Sequence, residues 1–239
     1  MTRLRTLTGM ALREMWISFR LIGVLGLPLL GGLLAIAVPA DLAGVTAVGG
    51  TAFWFAVGAC VAIVIASGLA AGTIAHERRR GTMAWMAVRA VPRAAVLASW
   101  FVAFGLLLAA GIVLGSIGAW LTAVARAEAA PDMVPFAAAV GATLGAALTS
   151  LAAGLLIGTL LPMVPATVVA VAVGTGLLAA AIQTAPGGLP SPIGGIGLLA
   201  HLDGASRPVG DALQSAGAAL AATAILLVLA GVALERRDL

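Results

Sequence analysis

The chain has no lysine, no tyrosine and one cysteine, and only 9% of its residues are charged. Each shortage excludes something. Without lysine there is no G-x-x-x-x-G-K-[ST] phosphate-binding loop, so the chain has no such means of hydrolysing ATP. The lone Cys60 lies inside an apolar run, which excludes a disulfide framework and a cysteine metal motif. The low charge excludes a soluble domain, where about 25% of residues are charged. The ten-residue alternating segments of a membrane β-barrel, each about that length, are also missing.

What is present is apolar: 62% of residues are hydrophobic and the mean hydropathy is +1.16. Runs of about 18 or more apolar residues recur, each able to cross the hydrocarbon core as a helix. The reading is an all-α polytopic membrane protein forming a single domain over residues 1–239. Six spans are expected, at about Leu21–Val38, Thr51–Thr73, Ala94–Ala125, Phe136–Leu160, Val164–Ile182 and Ala212–Leu234. A retained interfacial helix precedes them over about residues 1–18. It places Leu4, Leu7, Ala11 and Met15 on one side, with Arg3, Arg5 and Arg13 elsewhere.

The arginines set the expected orientation. Arg3, Arg5, Arg13 and Arg20 precede the first span, Arg78, Arg79, Arg80, Arg89 and Arg93 lie between the second and third, and Arg236 and Arg237 end the chain. Only Arg126 and Arg207 fall on the other side, which also holds Asp41, Glu128, Asp132, Asp203 and Asp211. The positive-inside rule then puts both termini in the cytoplasm. Trp16, Phe19, Trp100 and Phe101 fall near inner span ends and Phe53, Trp54, Phe55, Trp120 and Phe136 near outer ends, as an interfacial aromatic belt would. The net charge of +4 does not point to nucleic acid, because the arginines flank apolar runs and form no basic domain.

No charged residue lies within any expected span, and Gln183 with scattered Ser and Thr are the only polar candidates there. Coupling to an ion gradient usually uses intramembrane charge, so an ion-coupled transporter is disfavoured. His76 and His201 fall on opposite sides and cannot form a metal pair, and no nucleophile has an apparent base. Energised work would need a partner. Small-xxx-small pairs are plentiful (Gly68/Gly72, Gly111/Gly115, Gly141/Gly145, Gly154/Gly158) and read as ordinary helix packing, with none singled out as a dimer seam.

The charge concentrates in "HERRRGTMAWMAVRAVPR", residues 76–93. The second span is expected to end near Thr73, with the charges holding the chain in the cytoplasm. Gly81 breaks the helix, Thr82 can cap a new one, and Pro92 ends it. Between them Met83, Met86, Ala87 and Ala90 form one soft apolar face beside Trp85 and Arg89. Such a helix either lies on the bilayer or docks into a cytoplasmic partner. Methionine suits an adaptable contact surface.

The stretch "HERRRGTMAWMAVRAVPRAAVLASW" resembles the loop of type 2 ATP-binding-cassette (ABC) export permeases. A charged Glu-Arg cluster, Gly-Thr, a short coupling helix, Pro with a basic residue and a long third span follow in the family's order. The match rests on Glu77, Arg78, Gly81, Thr82, Pro92 and Arg93; Ala84 departs from it where the family often has an acidic residue. The resemblance covers the layout too: an N-terminal interfacial helix, six spans, an outer segment that re-enters the membrane, here residues 183–211, and a charged tail, here "LERRDL".

The resemblance implies a permease subunit that forms its pathway with a second, identical or similar chain in a bacterial plasma membrane. Cytoplasmic ATP-binding subunits would carry the ATP and Mg, leaving this chain without a cofactor. Coupling would fall to Glu77, Arg78, Gly81, Thr82, Met83, Met86, Ala87, Pro92 and Arg93. The other readings are a non-energised membrane scaffold or assembly subunit, and a haem-exporter-like permease.

Overall fold

The computed structural model describes residues 2–26, 30, 60–80, 92–125, 133–183 and 209–237. These residues are helical almost throughout and contain no strand. The elements are α1 (Thr2–Ile17), a single π-helical turn (Ile22–Gly26), α2 (Cys60–Arg79), α3 (Arg93–Ala125), α4 (Met133–Leu160), α5 (Met163–Gln183) and α6 (Val209–Arg237). Three stretches are long and apolar enough to cross a membrane: Arg93–Leu121, Phe136–Leu160 and Gln214–Arg236. Met163–Gly176 is a shorter apolar helix. The chain is thus an all-α protein of membrane-embedded type.

Side-chain size explains why these helices belong in lipid. Along α6 the inward residues are small or polar up to its last turns, with Ser215, Ala219, Thr223 and Ala230 buried, and Leu234 is the large buried side chain near its end. Its outward residues are large, with Leu220, Ile225, Val228, Leu229 and Val232 exposed. On α5 the buried positions are Ala166 and Ala170, while Val164, Val168, Val169, Val171 and Val173 face out. In water that pattern would expose its costliest surface. In lipid the outer face needs only to be apolar, and small residues inside let backbones approach.

Helix α4 is the centre of the bundle, in contact with α2, α3, α5 and α6. Where it meets α2, Gly154 and Gly158 lie directly against the backbone of Ser67 and Ala71. Where it meets α6, Gly145 faces Ala219, and a Cβ at Gly145 would come within 2.9 Å of the Ala219 Cβ. Beside that contact the Thr149 hydroxyl lies 3.0 Å from the Gly145 carbonyl, 3.1 Å from the Ala219 carbonyl and 3.2 Å from the Thr223 hydroxyl. Buried hydroxyls thus find partners across the helix pair, each such bond contributing about 0.6 kcal/mol in a bilayer. Gly68 and Gly72 face α5, at Val171 and Thr167. Of the expected small-residue pairs, Gly68/Gly72 and Gly154/Gly158 are therefore both spent inside one chain.

The larger core side chains come from α3. Val96, Trp100, Ala103, Phe104, Leu108, Ile112 and Ala119 are buried at helical spacing. Trp100 and Phe104 stack at a tilt, with ring centroids 5.9 Å apart. The belt expectation needs correction here: Trp100 is buried in the core, because α1 packs across the start of α3. Trp16 and Phe19 are exposed, at 69% and 74%.

A helix forms where one was expected ahead of the first span, over Thr2–Ile17. Its end is a tight turn. The Ser18 hydroxyl donates to the Glu14 carbonyl at 2.7 Å, and Phe19 takes a left-handed conformation at φ 56°. That conformation suits glycine or asparagine at a helix end and strains a bulky side chain. Arg20 then donates to the Thr73 hydroxyl at 2.9 Å, and Thr73 passes its own proton to the Leu69 carbonyl at 2.7 Å. The pair ties the turn to the middle of α2.

The last four expected spans coincide with helices α3 to α6 to within a few residues, and of these α3, α4 and α6 contain stretches long and apolar enough to cross a membrane. Helix α2 continues past the expected end of the second span near Thr73, through His76, Glu77, Arg78 and Arg79, and ends just before Gly81, where the helix was expected to break. Charge does not break a helix, and cations in the last turn favour it through the helix dipole. Residues 51–59 of that span, most of the first span, and residues 184–208 of the outer segment lie outside the described residues.

Candidate functional site at the arginine-rich end

Two side chains, Arg78 and Arg93, bring several helix ends to one face of the bundle. At the end of α2, the Arg78 guanidinium donates to the Gly158 carbonyl at 3.2 Å and to the Thr159 carbonyl at 2.7 Å. Those carbonyls belong to the last turn of α4, where the helix has no further N–H groups to offer. At the start of α3, Arg93 reaches the Leu234 carbonyl near the end of α6, at 3.4 Å. In both cases a cation meets the negative end of another helix. The ends of α2, α4 and α6 and the start of α3 thus share one face. The start of α5 joins them through the two-residue link Leu161–Pro162.

The residues expected to couple to a partner divide on this face. Pro92 is exposed and precedes α3, its carbonyl accepting from the Ala95 N–H at 2.9 Å as the helix begins. Arg78 and Arg93 are the two clamps just described. Gly81, Thr82, Met83, Met86 and Ala87 lie outside the described residues, as does the expected short helix that carries them.

Glu77 is placed differently from its neighbours. It is 92% buried, at 8% relative exposure. It turns toward α1 and the start of α3, where it lines a cavity of about 360 Å³ with Arg13, Glu14, Ser99 and Trp100. The remaining walls are apolar, including Met10 and Val96. Sequence reasoning placed Glu77 in the loop but did not foresee the cavity. The only signal was Glu14 and Arg13 on the polar side of an interfacial helix, and nothing in the sequence says which helix that side faces.

Among the described residues no group of three or more His, Cys, Asp or Glu could hold a metal ion. His76 is half-buried near the end of α2, and His201 lies outside the described residues. Comparison of the chain with protein-family models, with curated proteins and with solved structures gives no match in any of the three.

Orientation can be measured on this face. Arg79 is exposed. Arg79→Cys in a Cys60→Ala background is expected to resist a membrane-impermeant thiol reagent in intact cells and to react once they are opened. Labelling from outside would invert the topology.

Proposed function

We propose that the chain is the membrane permease subunit of an ABC exporter, with six spans, working as a pair of permease chains on two cytoplasmic ATP-binding subunits. The observation that carries this reading is the residue order of the loop, from the Glu77-Arg78 pair through Gly81-Thr82 to Pro92-Arg93. The architecture supports it in three ways. An amphipathic helix lies N-terminal to the bundle and packs on α3. Both roots of the loop are fastened to other helices at the arginine-rich end. The apolar stretches of α3, α4 and α6 contain no charge that could couple transport to an ion gradient.

In this mechanism the segment 81–91 seats on the ATP-binding subunit through Met83, Met86 and Ala87. ATP closes the two ATP-binding subunits together, and the motion enters the bundle at the loop's roots, Arg78 and Arg93. The large outward side chains of α5 and α6 face lipid or the second permease chain. Both termini and the loop are cytoplasmic in a bacterial plasma membrane.

The test is purification of the tagged full-length chain from its native membrane in mild detergent. The expected result is a co-purifying ATP-binding subunit, with ATP hydrolysis by the complex and none by the chain alone. A chain that purifies without any nucleotide-binding protein, yet is active in its host, is a scaffold or assembly subunit, and the proposal fails.

A further inference from the structure

The unexplained group on this face is the Glu77 carboxylate. It is nine-tenths buried, and no hydrogen bond or ion pair from any described residue satisfies it. Arg13 lines the same cavity but makes no ion pair with Glu77 or Glu14. The Glu77 oxygens are open to the cavity, since among the described residues the one fully buried side-chain polar atom without a partner is Trp120 Nε1, so they are available to an occupant there. The space beside it, about 360 Å³, is of the size of a small-molecule site, which runs from about 300 to 1,000 Å³.

The lining specifies the chemistry of an occupant. Ser99 donates its hydroxyl proton to the Val96 carbonyl at 2.7 Å, so toward the cavity it can only accept. Glu14, Glu77 and Ser99, from three different helices, therefore offer three acceptor groups around the cavity. A primary ammonium has three N–H donors and no acceptor, and matches that set. A quaternary ammonium has no N–H to give. The Trp100 ring adds an aromatic surface that favours a cation or the methylenes attached to it. Arg13 supplies one positive charge, suited to a phosphate. Met10, Val96 and Ile17 are apolar lining residues, and beside the cavity Trp16 near the end of α1 and Phe19 in the turn after it are exposed as a surface for acyl chains.

We propose that this cavity binds the headgroup of a phospholipid carrying a primary ammonium, phosphatidylethanolamine, with the ammonium on Glu77, Glu14 and Ser99 and the phosphate at Arg13. The occupant completes the junction of α1 with α2 and α3 and supplies the missing counter-charge to Glu77. The inference does not rest on the ABC reading, and its test uses the permease chain alone.

The full-length chain in detergent is titrated with phosphatidylethanolamine, phosphatidylcholine and phosphatidylglycerol, and bound lipid is counted by native mass spectrometry. Phosphatidylethanolamine is expected to bind at least about tenfold more tightly than either other lipid, a difference of about 1.4 kcal/mol. Glu77→Gln is expected to remove that preference while leaving the melting temperature of the lipid-free chain unchanged, because no hydrogen bond or ion pair within the described residues is lost. A purely structural glutamate would lower it. Ser99→Ala, a smaller change, is expected to weaken phosphatidylethanolamine binding several-fold and serves if the Glu77 variant does not fold. Arg13→Gln is expected to weaken the lipid but not dodecylamine. Equal binding of the three lipids overturns the proposal. So does undiminished binding to Glu77→Gln or Ser99→Ala, or dodecylamine binding as tightly as the lipid with no effect of Arg13→Gln on either.

Discussion

Met86→Asp is expected to release the chain from the proposed ATP-binding subunit while leaving it inserted in the membrane. Met83, Met86, Ala87 and Ala90 share one face at helical spacing, and Met86 is central among them. If that face is an apolar contact, Asp at its centre is an unpaired charge taken out of water, which costs several kcal/mol. About 1.4 kcal/mol is already a tenfold loss of affinity. Position 86 is outside every apolar run, so membrane insertion and yield should match the unmodified chain. Co-purification of the ATP-binding subunit and transport are the readouts. If both persist at full level, the segment is a bilayer-surface helix and the coupling role assigned to it is wrong.

Gly158→Leu is expected to have the largest effect on the bundle itself. A Cβ at this position would lie 2.5 Å from the Ala71 carbonyl oxygen and 3.0 Å from the Ala71 Cα. Both are backbone atoms and neither can rotate away. Inserting even a few carbons into a packed interior costs about 1–3 kcal/mol, and here the two helix axes must also separate. The same separation pulls the Gly158 and Thr159 carbonyls from Arg78. The variant should melt well below the parent in detergent. Gly141→Ala, on the same helix where nothing lies within 4 Å of an added Cβ, should melt with it. Equal melting of Gly158→Leu and the parent would show that α2 and α4 are not in that contact.

The long apolar helices were legible because each ends in a physical change the sequence displays. Pro92 and Arg93 mark the start of α3, and Leu161-Pro162 separates α4 from α5. Amphipathic spacing was enough to read α1 through to Ile17. The end of α2 was legible at Gly81: the helix runs to Arg79, past the expected end of the hydrocarbon near Thr73. Gly154/Gly158 could not be told from other glycine pairs, since with 31 glycines the spacing recurs by chance. What distinguishes them is the neighbour across the interface, Ser67 and Ala71, which no local pattern encodes. Glu77 is the same case at the candidate site. Its place in a charged run suggested a solvated residue, and only the packing of α1 onto α3 makes it a buried one.

The two arginine clamps have a mechanical consequence. Arg78 and Arg93 stand at opposite roots of one short loop, and each grips the carbonyl end of a different helix, α4 through Thr159 and α6 through Leu234. A force on the loop therefore enters at two anchored points and has little slack in which to dissipate.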